Sequence, residues 1–493
     1  MDFYYKQFVK AGAKLNDAEK AKMREINSQL AELSTAFSQN ILKSFKEDVI
    51  VVTDKSKLAG LSEGEIAGLA AAAKKAGKDG YMITLVNTTQ QPILSSLENR
   101  DLREQIFKAS ANRAAKTNGP IIIEETNLRA QKAELLGFKD WASYVMTSRM
   151  AQTTDNVYGI LDDLAPKAVE KAKIEAAAIQ KVINDSGESF ELKPWDWAFY
   201  AEKVRAEKYD LDPALVKPYF EMDSVIHDGL FFAMNKLYGI TFKERKDLPV
   251  YHEDVTAYEV FNADGSAIGL FYLDPYAREG KRGGAWMSAY VSQSGLKGTK
   301  PVIYNAQNIP KPAAGEPTLM TFDEVSTMFH EFGHAAHGLF SDVKYPSLAG
   351  TATARDFVEF PSQANEDWMI EPTVLANYAK HYKTGEPIPQ ALLDKVLASQ
   401  KFNQGFGTTE YLAAALLDME WHSFGSDKKI TDVQKFESDA LKAHGIDYYP
   451  VPPRYKSNYF SHTFAGGYSA GYYAYLWTEV FTADAFAHME NNG

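Results

Sequence analysis

Five residues, His330-Glu-Phe-Gly-His334, carry the most specific chemistry in the sequence. On a helix, residues four apart stack on one face, so both imidazoles can reach one ion. Glu331 would then project beside the open side of that ion, where a carboxylate can take a proton from water. The helical context is present. Thr321 with Glu324 has the form of a capping box, and Val325, Met328, Phe329, Phe332 and Leu339 supply an apolar stripe. The bland alternative is a buried helix with two hydrogen-bonded histidines. A hydrolytic centre needs three protein ligands and one open position. A third histidine at 340 is ruled out, because Phe340 stands there and His337 occupies the place of the required glycine. A carboxylate on a later helix is the remaining type. Glu359 is the best candidate, with Asp356 and Glu366 as rivals that a solvated helix face would also explain. Gln363, four residues beyond Glu359, is placed to support a ligand from behind. His337 shares the face of His330 and His334, and a structural histidine is its simpler reading.

A second constellation runs from His462 to Tyr475. Tyr468, Tyr472 and Tyr475 are spaced i, i+4, i+7, which on a helix would put three phenols on one face. Gly466 and Gly467 before them permit close backbone approach. Neutral donors such as Tyr and His suit an oxyanion. An aromatic core stripe explains the same spacing in a protein that is 13% aromatic, and the residue types alone favour it.

Most of the chain has helical periodicity. Met23, Ile26, Leu30, Leu33, Phe37 and Ile41 form one face, opened by an Asn16–Glu19 capping box; Ser62 with Glu65 opens a second helix that Gly77 ends. Val49–Val52 and Tyr81–Leu85 are short β-like runs able to pair. Leu94 to Gln180 is helical again. Near Leu248 the composition changes. Val255–Phe261 and Ala267–Leu273 alternate like strands, joined by an Asp264-Gly265 turn, and Ser288–Ser292 and Val302–Asn305 follow. A Pro- and Gly-rich loop, Asn308–Pro317, leads back to helix. The expected fold is mainly α, with one small sheet next to the His-Glu-x-x-His helix.

Bulk properties narrow the field. The 493 residues carry a net charge of -12, which argues against a nucleic-acid binder. There is no cysteine, which excludes disulfides, thiolate nucleophiles and iron–sulfur clusters and leaves His, Asp and Glu to hold any metal; zinc or a similar ion suits them. No apolar run approaches the ~20 residues of a membrane span, so no membrane insertion is expected. The opening residues lack the pattern of a signal peptide.

Taken together, Phe329-His-Glu-Phe-Gly-His334, Arg355-Asp-Phe-Val-Glu-Phe-Pro-Ser-Gln363 and Ala465-Gly-Gly-Tyr468 with Tyr472 and Tyr475 resemble the thimet oligopeptidase family of zinc peptidases. Phe271-Tyr-Leu-Asp274, Gly280-Lys-Arg-Gly-Gly-Ala-Trp-Met287, Lys300-Pro-Val-Ile-Tyr304, Pro452-Pro-Arg-Tyr455 and Asn87-Thr-Thr-Gln-Gln-Pro92 narrow the resemblance to its bacterial peptidyl-dipeptidase branch. The resemblance implies a two-lobed helical fold with a deep central channel and one zinc ion per chain on its floor. Residues 1–150 would form a helical lobe. Residues 151–493 would form the catalytic region, with the sheet at about 250–305, zinc-site helices at 321–370 and substrate-binding helices at 400–493. His330, His334 and Glu359 would be the ligands and Glu331 the general base. Tyr472, Tyr475 and His462 would serve the scissile carbonyl, and Gly466, Gly467 and Tyr468 the substrate loop. The implied activity is release of dipeptides from free C-termini of short peptides, by a monomer. An endo-acting oligopeptidase, or a non-catalytic peptide-binding relative, is the alternative. Arg282, Arg454 and His462 are conceivable readers of the substrate carboxylate, and the strand-rich segment can pair with an extended peptide. Family members carry a further helical stretch ahead of Met1 and continue past Gly493. The cytoplasm is the expected location, with the periplasm as the alternative because the native N-terminus is expected to lie ahead of Met1.

Overall fold

Capping chemistry starts the helices where the sequence places it. Asn16 Oδ1 accepts from the Glu19 amide at 2.9 Å while the Glu19 carboxylate accepts from the Asn16 amide at 2.8 Å. The reciprocal Ser62–Glu65 and Thr321–Glu324 pairs do the same, each satisfying donors a helix start leaves open. The computed structural model describes residues 2–86, 88–209, 213–278, 280–281, 284–312 and 315–492. The chain divides into two compact units, one of residues 1–208 and 401–473, the other of 209–400 and 474–493. The helices used below are α1 (Asp17–Glu47), α2 (Ala115–Leu135), α3 (Thr154–Asp185), α4 (Phe322–Leu339), α5 (Phe360–Asp367), α6 (Gln404–Glu420), α7 (Val433–Ala443) and α8 (Ala474–Asn492).

The first unit is helical apart from β1 (Ile50–Val52), which pairs antiparallel with β2 (Tyr81–Ile83) as the two β-like runs suggest. Its extent does not stop near residue 150. α3 buries Val157, Leu161, Ala165 and Ala172 in this unit, and α6 returns from residue 404 to pack on it. Gly405 allows the close approach, since a Cβ there would meet Ala172 N at 2.4 Å.

The second unit holds β3 (Thr241–Glu244), β4 (Thr256–Phe261), β5 (Ala267–Tyr276), β6 (Trp286–Val291) and β7 (Val302–Ile309), in spatial order β3-β4-β5-β7-β6. β5 and β7 are parallel and the other pairs antiparallel. The β4–β5 turn has Gly265 at φ +82°, a left-handed conformation in which glycine carries no Cβ penalty. β3 was not anticipated. It is a short, largely exposed edge strand whose Phe242 stacks on Phe231 at 3.8 Å, so burial gives it little periodic signal. One face of the sheet packs on α4. Phe271, Leu273 and Ile303 join Val325, Phe329, Phe332 and Leu339 in one core, fixing the His-Glu-x-x-His helix by apolar burial. Among the described residues, no helix is long and apolar enough to cross a membrane.

Candidate metal centre

α4 presents His330 and His334 one turn apart, their rings edge to face with centroids 5.0 Å apart. Glu359 meets both: its Oε2 lies 3.4 Å from His330 Nε2 and 3.0 Å from His334 Nε2. The three ligand atoms all lie within 4.8 Å of one another, the one such group among the described residues. Tetrahedral bonds of ~2.0–2.1 Å require ligand atoms about 3.3 Å apart, so the two His–Glu separations fit a single small cation. Glu359 stands immediately before α5 rather than within a helix, because Pro361 sets the helix start just after it.

Two features bring the segments this close. A Cβ at Gly333 would fall 2.5 Å from both Pro361 O and Ser362 Cα, so only glycine lets α4 and α5 pack at the ligands. Asn365 Nδ2 then donates to Phe329 O at 2.6 Å. The signal in the sequence is a glycine between the two histidines, which spacing and periodicity alone do not mark.

Glu366, one of the rival carboxylates, has a different part. Its Oε1 is 2.6 Å from His330 Nδ1 and its Oε2 accepts from Ser326 Oγ at 3.0 Å. An imidazole that donates through Nδ1 keeps Nε2 available for a cation. Gln363, expected in that supporting position, spends its side chain elsewhere: Nε2 donates to Tyr475 O at 2.9 Å and Oε1 accepts from Thr478 Oγ1 at 2.6 Å. It ties α8 to α5 and so steadies the segment carrying Glu359. Asp356 is fully buried outside the ligand group, as His337 also lies outside it.

Electrostatics follow from burial and proximity. Burial alone would depress His330, but its hydrogen bonds to the Glu359 and Glu366 carboxylates outweigh it and hold the imidazole well above its ordinary range. Burial alone would raise Glu359, but its two histidine partners hold it well below the usual carboxylate range. Burial pushes Glu331 up, toward the range useful for a base at neutral pH. Glu331 is 6% exposed and its Oε2 has no hydrogen-bond partner, nor has His334 Nδ1. A buried carboxylate oxygen left unbonded beside three convergent ligands is costly for structure alone. It suits a catalytic base next to a metal.

The tyrosines divide between the units. Tyr475 lies in the first turn of α8, in the same unit as the ligands. Tyr468 and Tyr472 lie in the other unit and precede the helix, so the three phenols do not share one helical face. Ala470 at φ +49° breaks the repeat, and the amides of residues 470–472 are bonded to Asp418 instead of to a preceding helical turn. His462 packs its ring 5.8 Å from that of Tyr468 and 5.2 Å from that of Tyr472. Gly466 and Gly467 are exposed, with Gly467 at φ +82°. Arg454 pairs with Glu410 at 3.1 Å, and Arg282 lies outside the described residues, as do Asn87 and Gly283.

Two histidines, a carboxylate and an adjacent buried base form the set that metal-assisted hydrolysis requires. Residues 93–493 match Peptidase family M3. A dipeptidyl carboxypeptidase of Escherichia coli (strain K12) is 47% identical over 498 residues, which cover 100% of this chain and 73% of that protein. An oligopeptidase A of Salmonella typhimurium is 35% identical over 505 residues, covering 100% of this chain and 74% of its own. A solved oligoendopeptidase F shares the fold at a TM-score of 0.53 and 14% identity, over 97% of this chain and 68% of that one. The chain belongs to peptidase family M3. It is accordingly a metallopeptidase, and among the described residues His330, His334 and Glu359 form a group that could hold a metal ion.

Proposed function

We propose that the chain is a zinc-dependent peptidyl-dipeptidase, releasing dipeptides from the free C-termini of short peptides. The observation that carries this reading is the convergence of His330, His334 and Glu359 beside the buried Glu331, whose Oε2 has no hydrogen-bond partner, in a chain 47% identical to a dipeptidyl carboxypeptidase along its whole length. The N2O donor set suits zinc. Zinc held there supplies Lewis-acid polarisation of the scissile carbonyl and acidifies water. Glu331 takes the proton of the attacking water at a carboxylate oxygen and returns it to the leaving amine nitrogen. Tyr475 donates its phenolic hydrogen to the oxyanion that develops on the carbonyl oxygen. Tyr472 is assigned as a second donor on the family resemblance; burial raises its phenol well above the ordinary range, so it keeps its proton. On the same ground Gly466, Gly467 and Tyr468 contact the peptide, and His462 serves the scissile carbonyl beside the tyrosines.

The second reading is an endo-acting oligopeptidase, favoured by the 35% identity to oligopeptidase A. Mass spectrometry on an N-acetylated peptide, prepared with a free and with an amidated C-terminus, separates the two. Chelator-sensitive release of C-terminal dipeptides from the free form alone is expected. Internal cleavage of both forms would replace it with the oligopeptidase reading.

A further inference from the structure

We infer that Asp418 is the positioning residue for the 470–472 turn, and that it sets the orientation from which Tyr472 acts; this rests on the assignment of Tyr472 above. Asp418 lies on α6 and is fully buried. Its Oδ1 accepts from the Ala470 amide at 3.0 Å, and its Oδ2 from the Gly471 and Tyr472 amides at 2.7 and 2.9 Å. Three consecutive amides converging on one carboxylate is an arrangement in which an ionised acceptor is stronger than a neutral one. It is also what the turn needs, because Ala470 sits at φ +49°, a conformation an L side chain adopts at a cost.

The carboxylate has a buried neighbour. His422 Nδ1 lies 3.3 Å from Asp418 Oδ1 and 2.6 Å from the main-chain carbonyl oxygen of Asp418, and His422 Nε2 lies 2.8 Å from Arg129 Nη1. A guanidinium only donates, so Nε2 is the acceptor and Nδ1 carries the hydrogen. Burial keeps this imidazole neutral. Arg129, on α2, also donates to Thr463 O at 3.1 Å. One buried chain of contacts, Arg129–His422–Asp418, therefore grips both ends of the segment 463–472. Two further bonds lie at its C-terminal end: Trp141 Nε1 donates to Ser469 Oγ at 3.0 Å, and Tyr411 OH to Tyr472 O at 2.7 Å. Between the gripped ends lie Gly466 and Gly467, both exposed. The network thus fixes Tyr472 while the two glycines ahead of it face solvent.

The test is a cycle of Asp418→Asn, Tyr472→Phe and the double variant, each loaded with zinc and assayed on the acetylated peptide with a free C-terminus. An amide in place of the carboxylate turns a donor toward at least one of the three N–H groups. Misplacement of about 1 Å costs ~100-fold in rate, so Asp418→Asn should lower kcat by about 10- to 100-fold with zinc content unchanged and KM moved less than about threefold. The double variant should be no slower than the slower single variant. Full kcat in Asp418→Asn, or losses that multiply in the double variant, would overturn the inference. Tyr472→Phe at the wild-type rate would remove Tyr472 from the mechanism and the inference with it, whereas a slow Tyr472→Phe beside a fast Asp418→Asn defeats the clamp alone. Should Asp418→Asn not fold, amide hydrogen exchange on the wild-type protein decides. Residues 470–472 should be protected like the interior of α6 while 466 and 467 exchange fast, and equal fast exchange throughout would refute the clamp.

Discussion

The metal centre and the tyrosine loop solve the same problem, holding side chains for chemistry, by opposite means. At the metal centre the parts are near in sequence. Two ligands come from one turn of α4, and the third stands just before α5. Two of the supporting bonds, His330 to Glu366 and Asn365 to Phe329, span 36 residues each, and the tie from Gln363 to Tyr475 spans 112. The loop instead depends on partners 334 residues away at Thr463 and 53 residues away at Gly471. The two histidines ride on a helix buried against a sheet, so their geometry is set by apolar packing. The loop has no regular ladder of its own, and its amides are satisfied by a buried carboxylate. Packing positions what must stay still; a charged anchor positions a turn whose backbone no helix or strand would support.

The largest effect is expected at Glu331. A base that works only during reaction should leave the rigid centre untouched when neutralised. Glu331→Gln should retain one zinc per chain and lose ~100- to 10,000-fold in kcat. Zinc analysis beside peptide turnover checks this, and near-normal turnover would remove Glu331 from the role of base. A smaller effect sharpens the claim that the centre's support is local. Glu366→Gln takes the charged acceptor from His330 Nδ1, and partners of this kind typically account for ~10- to 100-fold in metal affinity. Competition against a chromophoric chelator should show that weakening. Unchanged affinity would mean α4 orients His330 by packing alone.

The same contrast decides what could be read from residues alone. Periodicity and capping located α4, and a fixed i, i+4 spacing made His330 and His334 a pair before any tertiary contact was known. The β4–β5 hairpin was legible because its turn residues and alternation agree. The third ligand could be narrowed only to Glu359 and its neighbours until the family motifs were added, since spacing does not say how two segments cross. Gly333 decides that crossing, and its meaning appears only when Pro361 and Ser362 lie against it. The helical face expected for Tyr468, Tyr472 and Tyr475 failed for a related reason. Local spacing favoured a helix, but Asp418 captures the amides a continuous helix would use and Ala470 turns left-handed. Nothing near residue 470 announces an acceptor that arrives from residue 418.

The smallest effect tests whether the far-sequence supports of the first unit respond to pH. His444 follows α7 and joins three helices: its Nδ1 lies 2.6 Å from Asp162 Oδ1 on α3, and its Nε2 lies 3.2 Å from Glu420 Oε1 at the end of α6, two residues past Asp418. Tyr158 stacks on its ring at 5.5 Å and donates to the same Glu420 oxygen at 2.8 Å. Hydrogen bonding to Glu420, then to Asp162, raises the imidazole above its ordinary value, while the bond from His444 lowers Glu420. The raised histidine contributes stability that is complete below about 6.5 and disappears as pH climbs through its folded value; the depressed carboxylate contributes above about 4.5 and fades as pH falls through its own. Both are fully present between those limits. A His444→Gln variant should therefore be destabilised by about 1 kcal/mol at most, as expected for a partly exposed ion pair, with the difference from wild type greatest near pH 5.5 and narrowing toward pH 9. Thermal unfolding across that range measures it. A difference that stays constant with pH would mean that this junction is held by ring stacking and packing, leaving Asp418 as the charged anchor of the region.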